Sequence, residues 1–479
     1  MSSTTDQPLD FDNIQGEILP GFPKPSLTYV LFQITNAKAF RTALADLVPL
    51  ITSTAQVMGH RQTIAHHKAK VAQNKSEPGM LDIVCVNVAF SQTGLTTVHI
   101  KDPSFVNGQL SDANDLGDTG SFESGTFVPS DWLDAFRNPV HGAIIISGPT
   151  PIVIRNKVND VENMFGVHSG HSSLKVVLEL VGQPRPKPHN GHEHFGFLDG
   201  ISHPAVEGFD ITPNPGQQTV PQGTILLGRL GDEIIRPKWA VDGSFLALRH
   251  LSQLVPEFDE FLIDNPIKDS NMPPDQASEL LGARMVGRWK SGAPIDMTPF
   301  EDEPSLGKDP TRNNNFRFEG EVDSQDRCPF AAHIRKTNPR ADLEDHGTLI
   351  GKNRIIRRGI QFGPEVTKKE REEGKTIEDR GLIFACYQSN IGNGFKFIQQ
   401  SWANEPDFPH KGAGLDPIIG QTNSAGVRHM PGTDPLSQGK DLTIPMQFVV
   451  SKGGEYFFAP SISTLRDVFA VNMHIEAQK

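Results

Sequence analysis

Hydrophobic and polar positions alternate along this chain in blocks whose spacing predicts short strands separated by helices. TYVLFQI (28–34) is an apolar run of strand length. AKAFRTALADLVPLI (37–51) follows with apolar residues at helical spacing and Asn36 placed to cap it. LDIVCVNVAF (81–90), GAIIISG (142–148) and SLKVVLELVG (173–182) read as further strands, and VIRNKVNDVENMFG (153–166) as a helix. The Ser/Asp/Gly-rich residues of 100–130 predict a long surface loop. The order strand, helix, strand, strand, helix, strand stops at QPRPKPHNG (183–191), a proline-rich break that sets an expected boundary between domains 1–185 and 186–479.

The second half repeats the order. SFLALRHL (244–251) reads as a strand, and PEFDEFLID and ASELLGARMVGRW as helices. A polar insertion fills 292–326. IIRRGIQF (355–362) and GLIFACYQ (381–388) read as strands joined by a charged loop, and NGFKFIQQSWANE (393–405) as a helix. PMQFVVSKGGEYFFAP (445–460) predicts a hairpin with a glycine turn. Two antiparallel sheets, each covered by helices, make an α+β architecture.

Composition narrows the function. A formal charge of −12 disfavours nucleic acid and anionic lipid as partners. No apolar run reaches membrane-spanning length. The opening residues carry neither a basic region nor an apolar core, which predicts an intracellular protein, or a secreted one if the chain is a processed form. Three cysteines, Cys85, Cys328 and Cys386, match no zinc spacing and read as buried thiols.

Candidate chemistry clusters in four places. In EHFGFLDGISHP (193–204), Asp199 is a lone acid among apolar residues, flanked by Gly196 and Gly200. Such an acid has a partner, a shifted pKa or a job, although Asp-Gly is also a common turn dipeptide. HNGHEH (189–194) brings His189, His192 and His194 together, which reads as a solvated loop or as zinc ligands. In CPFAAHIRKTNPR (328–340), His333 stands beside two alanines and before Arg335, Lys336 and Arg340. That setting suits either an ordinary histidine in a basic loop or the axial ligand of a planar group with carboxylates, such as haem. On a strand, Arg357 and Arg358 point to opposite faces while Leu382 and Phe384 share one. An inward arginine needs an anion, and Asp199 would serve.

Taken together, FGFLDGISHP, CPFAAHIRKTNPR, IIRRGIQFGPE and GLIFACYQSN, with the N-terminal DFDNIQGEIL, resemble the dye-decolorizing peroxidases of fungal type, in order and over nearly the whole chain. The resemblance implies two ferredoxin-like modules of the dimeric α+β barrel type and one haem b per chain, held without a covalent bond. It implies hydrogen peroxide as oxidant and aromatic dyes and phenols as donors. By the same resemblance Asp199 is the distal acid–base, Arg357 the distal charge stabiliser and His333 the proximal iron ligand. Arg335 would meet a haem propionate, Leu382 and Phe384 would wall the pocket, and Gly196 and Gly200 would let the backbone approach the macrocycle. Asp416, in GLDPIIGQ, resembles the carboxylate that accepts a hydrogen bond from the proximal imidazole, and Trp402 resembles a surface electron relay. Trp402 also falls on one helical face with Phe395 and Ile398, the pattern of a packed residue. Two positions depart from the family pattern. Phe362 stands where some relatives carry a tyrosine, and His203 where glutamine is more usual. The rival expectations are a non-catalytic haem carrier on the same fold, a zinc hydrolase built on HNGHEH and a haem-dealkylating or chlorite-decomposing relative.

Overall fold

A computed structural model describes residues 8–471 except 76–77, 103, 211, 268–271, 322–323, 425 and 438–439. In the first half, β1 (Ser26–Ile34), β2 (Cys85–Phe90), β3 (Gly142–Gly148) and β4 (Leu174–Gly182) form an antiparallel sheet in the order β4-β1-β3-β2. In the second half, β5 (Ser244–Gln253), the short pieces β6 (Ile356–Arg357) and β7 (Ile360–Phe362), β8 (Gly381–Gln388) and β9 (Val449–Ala459) repeat that order, with β9-β5-β8 followed by β6 and β7. Each half is thus a ferredoxin-like module. The sheets join at one edge through the pair Phe458–Phe90. At the other edge, the amide of Gln183 donates to the carbonyl of Gln361 at 2.8 Å, so the two sheets curl towards a barrel. Gly182 permits that approach, because a Cβ there would lie 2.3 Å from Ile360 Cγ2.

Local chemistry accounts for the helices. The Asn36 side chain accepts from the Ala39 amide at 3.0 Å and starts α1 (Ala37–Leu47). A reciprocal capping box between Ser53 and Gln56 starts α2 (Thr54–Ala72). Pro151 in the first turn and the Thr150 cap set α3 (Pro151–Met164). In the second module, α4 (Val255–Asp264) and α5 (Pro274–Val286) pack Phe258, Phe261, Leu262, Leu280 and Leu281 into one cluster with Phe195 and Phe197.

Three expectations change. The 445–460 hairpin is one strand, β9, whose register against β5 slips between Ser451 and Gly454. Gly453, at φ +110°, accommodates a bulge there, so the glycines bend the strand instead of reversing it. The loop of 100–130 contains a hairpin, Gly120–Glu123 with Thr126–Pro129, turned by Ser124 and Gly125 at positive φ. The strand of 355–362 is interrupted at Arg358 and Gly359.

Candidate active site

The second module encloses a cavity of about 270 Å³. Its walls come from the 198–204 loop, from β5, β6 and β8, and from the short helix α6 (His333–Thr337). On β8, Leu382 and Phe384 face the cavity, in register with Leu251 and Arg249 of β5.

Asp199 is set by its turn. The Glu193 carboxylate accepts the amides of Phe195 at 2.9 Å and Phe197 at 2.8 Å, which fastens the aromatic turn preceding Asp199. Burial raises the pKa of Glu193 despite these hydrogen bonds. The Asp199 amide donates to Gly191 O, and the Gly200 amide donates to Asp199 Oδ1 at 2.6 Å. Asp199 therefore sits in a turn and also holds a partner: Arg357 Nη1 donates to Asp199 Oδ1. Each side chain keeps 31% of its surface free, and both line the cavity. Burial pushes the Asp199 carboxyl up, but the Arg357 charge and hydrogen bond and the Gly200 amide outweigh it and bring it down to about 2. Arg358 takes the other face, as alternation requires. It is held by the carbonyls of Glu17 and Ile18, each at 3.1 Å, rather than facing solvent.

His333 opens α6, and its Nδ1 lies 2.8 Å from Asp416 Oδ2. Asp416 is fully buried and also accepts the amides of Ile418 and Ile419. Burial lowers the imidazole pKa, but the Asp416 charge and hydrogen bond leave it raised overall. With Nδ1 engaged, Nε2 is the unbound ring nitrogen, and His333 lines the same cavity as Asp199 and Arg357.

Four expectations need correction or sharpening. Arg335 does not reach the cavity. It is fully buried, grips Asp342 at 2.6 and 2.7 Å, donates to the carbonyls of Cys328 and Glu321, and lies between the rings of Phe318 and Phe330. Gly196 does not line the cavity either; its φ of +96° serves the turn. Gly200 does line it, with no atom within 4 Å of a would-be Cβ. Trp402 is 4% exposed and stacked on Phe408, so it is not a surface residue. In HNGHEH, the buried His194 hydrogen-bonds Phe362 O at 2.8 Å, and no cluster of three or more His, Cys, Asp or Glu suited to a metal occurs among the described residues. All three thiols are buried and free.

Sequence reasoning named Arg340 only as a cation following His333 and did not single out Arg288 or Arg354, which line the cavity with it. Arg288 and Arg340 both reach Asn314 Oδ1, at 3.2 and 2.6 Å, and Arg354 donates to Gln218 at 2.6 Å. None forms an ion pair with a described residue. Burial, the leading cause in each case, lowers their pKa values to about 9, 9 and 10. Buried cations seldom go without an anion, so this wall suits a ligand with carboxylates. Arg340 lies in CPFAAHIRKTNPR and Arg288 in ASELLGARMVGRW, and Arg354 directly precedes IIRRGIQF, but nothing in their spacing told inward from outward. His203 also lines the cavity, with Nδ1 buried and unbonded; burial first, then Arg357 and Arg358, lower it to about 3.

An acid–guanidinium pair, an acid–imidazole pair and unpaired arginines meet on one largely apolar cavity, which places the chain in the class of α+β barrel proteins with a ligand-sized pocket. Comparison with known proteins narrows the class. Residues 13–186 match the family model of the dye-decolorizing peroxidase dimeric alpha+beta barrel domain, and residues 282–410 match that of the Dyp-type peroxidase C-terminal domain. The dye-decolorizing peroxidase of Auricularia auricula-judae is 44% identical over 95% of this chain and 86% of its own length. A dye-decolorizing peroxidase of Mycetinis scorodonius is 42% identical over 98% of this chain and 90% of its own. A solved variant of the Pleurotus ostreatus enzyme superposes with a TM-score of 0.93 at 45% identity, covering 97% of this chain and 100% of its own. The chain belongs to the dye-decolorizing peroxidase family, whose members are haem peroxidases, and it is an enzyme of that class.

Proposed function

We propose that the chain binds one haem b without a covalent link and uses hydrogen peroxide to oxidise dyes and phenolic or other aromatic donors. The observation that carries this reading is the convergence of Asp199–Arg357 and His333–Asp416 on one cavity with unpaired cations in its wall. A solved relative, 43% identical, is a complex with 2,6-dimethoxyphenol, which supports phenols as donors here. Bound in the cavity, haem would supply two-electron redox chemistry towards peroxide and one-electron redox chemistry towards aromatic donors.

This chain's own residues do the rest. His333 would hold the iron through Nε2, while Asp416, on Nδ1, would give the ring anionic character. Arg288, Arg340 and Arg354 offer N–H groups to carboxylates, and Leu382 and Phe384 keep the pocket narrow. Asp199, ionised by its arginine, takes a proton from one oxygen of peroxide and returns it to the departing one. Arg357 stabilises the negative charge that develops on that oxygen.

The test is a visible absorption spectrum of the purified protein before and after one equivalent of peroxide, repeated with Asp199→Asn. A Soret band that peroxide changes rapidly in the wild type and sluggishly in the variant supports the assignment. Absence of a Soret band after reconstitution with hemin would sink it, and a band indifferent to peroxide would favour a carrier.

A further inference from the structure

We propose that Lys24 is a positioning residue for Arg357, reaching across from the first module to hold the break in the strand that carries that arginine. The inference rests on the peroxidase reading, which gives Arg357 its task. β6 is only 2 residues long, and the strand resumes as β7 after Arg358 and Gly359. An arginine at the end of so short a strand has little ladder to fix its backbone. Towards β8 it is fixed, because the Arg358 amide donates to Ala385 O at 2.6 Å. The carbonyls at the break meet cations instead. Arg357 O accepts from Arg358 Nη1 at 3.3 Å, and Arg358 O accepts from Lys24 Nζ. The same ammonium lies 2.6 Å from Glu17 Oε1, and its side chain is 15% exposed.

The segment that supplies Lys24 is itself fixed. Glu17 is fully buried; its amide donates to Asn87 Oδ1 of β2 at 2.8 Å, and its carboxylate accepts the Phe22 amide at 2.8 Å. Thr54 of α2 donates to Leu19 O at 2.6 Å, and Arg61 of α2 to Pro20 O at 3.1 Å and Gly21 O at 2.8 Å. Gly21, at φ +88°, leaves room for the Arg358 guanidinium, since a Cβ there would lie 2.5 Å from Arg358 Nε. Holding a buried ammonium against a backbone carbonyl costs desolvation, which Glu17 offsets. Apolar side chains would serve packing at least as well. The use of the charge is to fix the direction of Arg358 O, and with it the backbone of Arg357.

The consequence lies in the cavity. Arg357 Nη1 donates to Asp199 Oδ1, and both side chains line the space where peroxide would react. Rotation of the peptide on either side of Arg358 would swing the Arg357 guanidinium away from that carboxylate. A misplacement of about 1 Å can cost on the order of 10²-fold in rate. Lys24 does not line the cavity; among the described residues, none before Glu193 does. Its effect on the reaction therefore passes through the Arg357 backbone, and Lys24 is a route by which the first module bears on chemistry held in the second.

The experiment is a double-mutant cycle on the haem-loaded full chain, with rates expressed per bound haem. Lys24→Met keeps the length of the side chain and removes its charge. It should lower kcat/KM for hydrogen peroxide roughly 10–100-fold. In the Arg357→Leu background the same substitution should have no further effect, because the residue it acts through is gone. A second readout needs no turnover. The C–N stretching band of cyanide bound to the haem reports the hydrogen bond that Arg357 offers, and Lys24→Met should shift it towards its position in Arg357→Leu. Gly21→Ala, whose Cβ would press on Arg358, should reproduce both effects and serves where Lys24→Met does not fold. Wild-type rates per haem, an unshifted cyanide band, or losses that multiply in the double variant would make Lys24 a stabilising residue only and leave the peroxidase reading standing. A wild-type haem spectrum that ignores peroxide would overturn both.

Discussion

Asp199 and Arg335 show how differently two ion pairs of one module behave. Asp199 keeps its partner at a cavity wall, and its carboxyl is held at about 2 rather than the ordinary 3.8. The sign follows from that depression: the pair stabilises the fold fully above the ordinary value, and the contribution is lost as pH falls through about 2. The ionised base is thus present across the acidic range, so kcat/KM for peroxide should stay level on acidification until pH approaches that value. Asp199→Asn should lower it about 10²–10⁴-fold. Stopped-flow peroxide kinetics across pH check both statements, and a variant with wild-type rates would remove Asp199 from the reaction. Arg335, by contrast, is sealed against Asp342. Arg335→Ala should destabilise the fold by about 3–5 kcal/mol, read by urea denaturation of the haem-free protein. Carboxylate recognition should instead fall to the unpaired Arg354. Arg354→Ala should weaken hemin binding roughly 10–100-fold, the loss of one charge-assisted hydrogen bond. That difference should vanish with hemin dimethyl ester, which has no carboxylates; an equal loss for both ligands would assign Arg354 to packing.

Among elements, those with strong patterns were legible and those shaped by partners were not. The β1, β2, β3, β5 and β8 runs are apolar because both faces are covered. The 19-residue α2 escaped because it is polar nearly all round, with only Thr54 and Val57 buried. Its readable mark was the capping box at its start, Ser53-x-x-Gln56. The bulge in β9 escaped because Gly-Gly marks a turn or a bulge equally well, and only the length of the partner β5 decides. Trp402 lies in the π-helical turn Ile398–Ala403, which positions its ring against Phe408 and Ile350. The i, i+3, i+7 pattern with Phe395 and Ile398 had offered packing as one reading, and burial agrees with it. Trp402→Ala should therefore cost about 3–5 kcal/mol of stability, measured by denaturant titration. Large and small donors should suffer alike per folded molecule; selective loss of dye oxidation would restore an electron-transfer role.

At the scale of the whole molecule, the duplicated order of strands was visible in the sequence, but the union of the two sheets was not. Edge pairing depends on which backbones meet, and the Phe458–Phe90 pair and the Gln183–Gln361 hydrogen bond leave no periodic trace. The same holds for the site. Asp199, His333 and Arg357 stand in quotable motifs, whereas Arg288 becomes informative only when the fold buries it without an acid. The union has an energetic consequence. One apolar cluster unites Val30, Phe32 and Phe90 of the first module with Phe245, Ala247 and Phe458 of the second. A second unites Tyr29, Leu31 and Ala143 with Leu246, Leu248 and Phe457. Arg41 of α1 also donates to the carbonyls of Val468, Phe469 and Val471, and Gln15 bridges Val88 and Pro460. Separating the modules would expose both clusters at about 25 cal/mol for each Å² of apolar surface. Neither module can lose its partner without losing core, so unfolding should be one cooperative event despite the chain's length. Far-ultraviolet circular dichroism and tryptophan fluorescence should trace one coincident urea transition in the haem-free protein. Transitions that separate, with the first module melting while Trp289 and Trp402 in the second remain buried, would show that the shared core does not couple them.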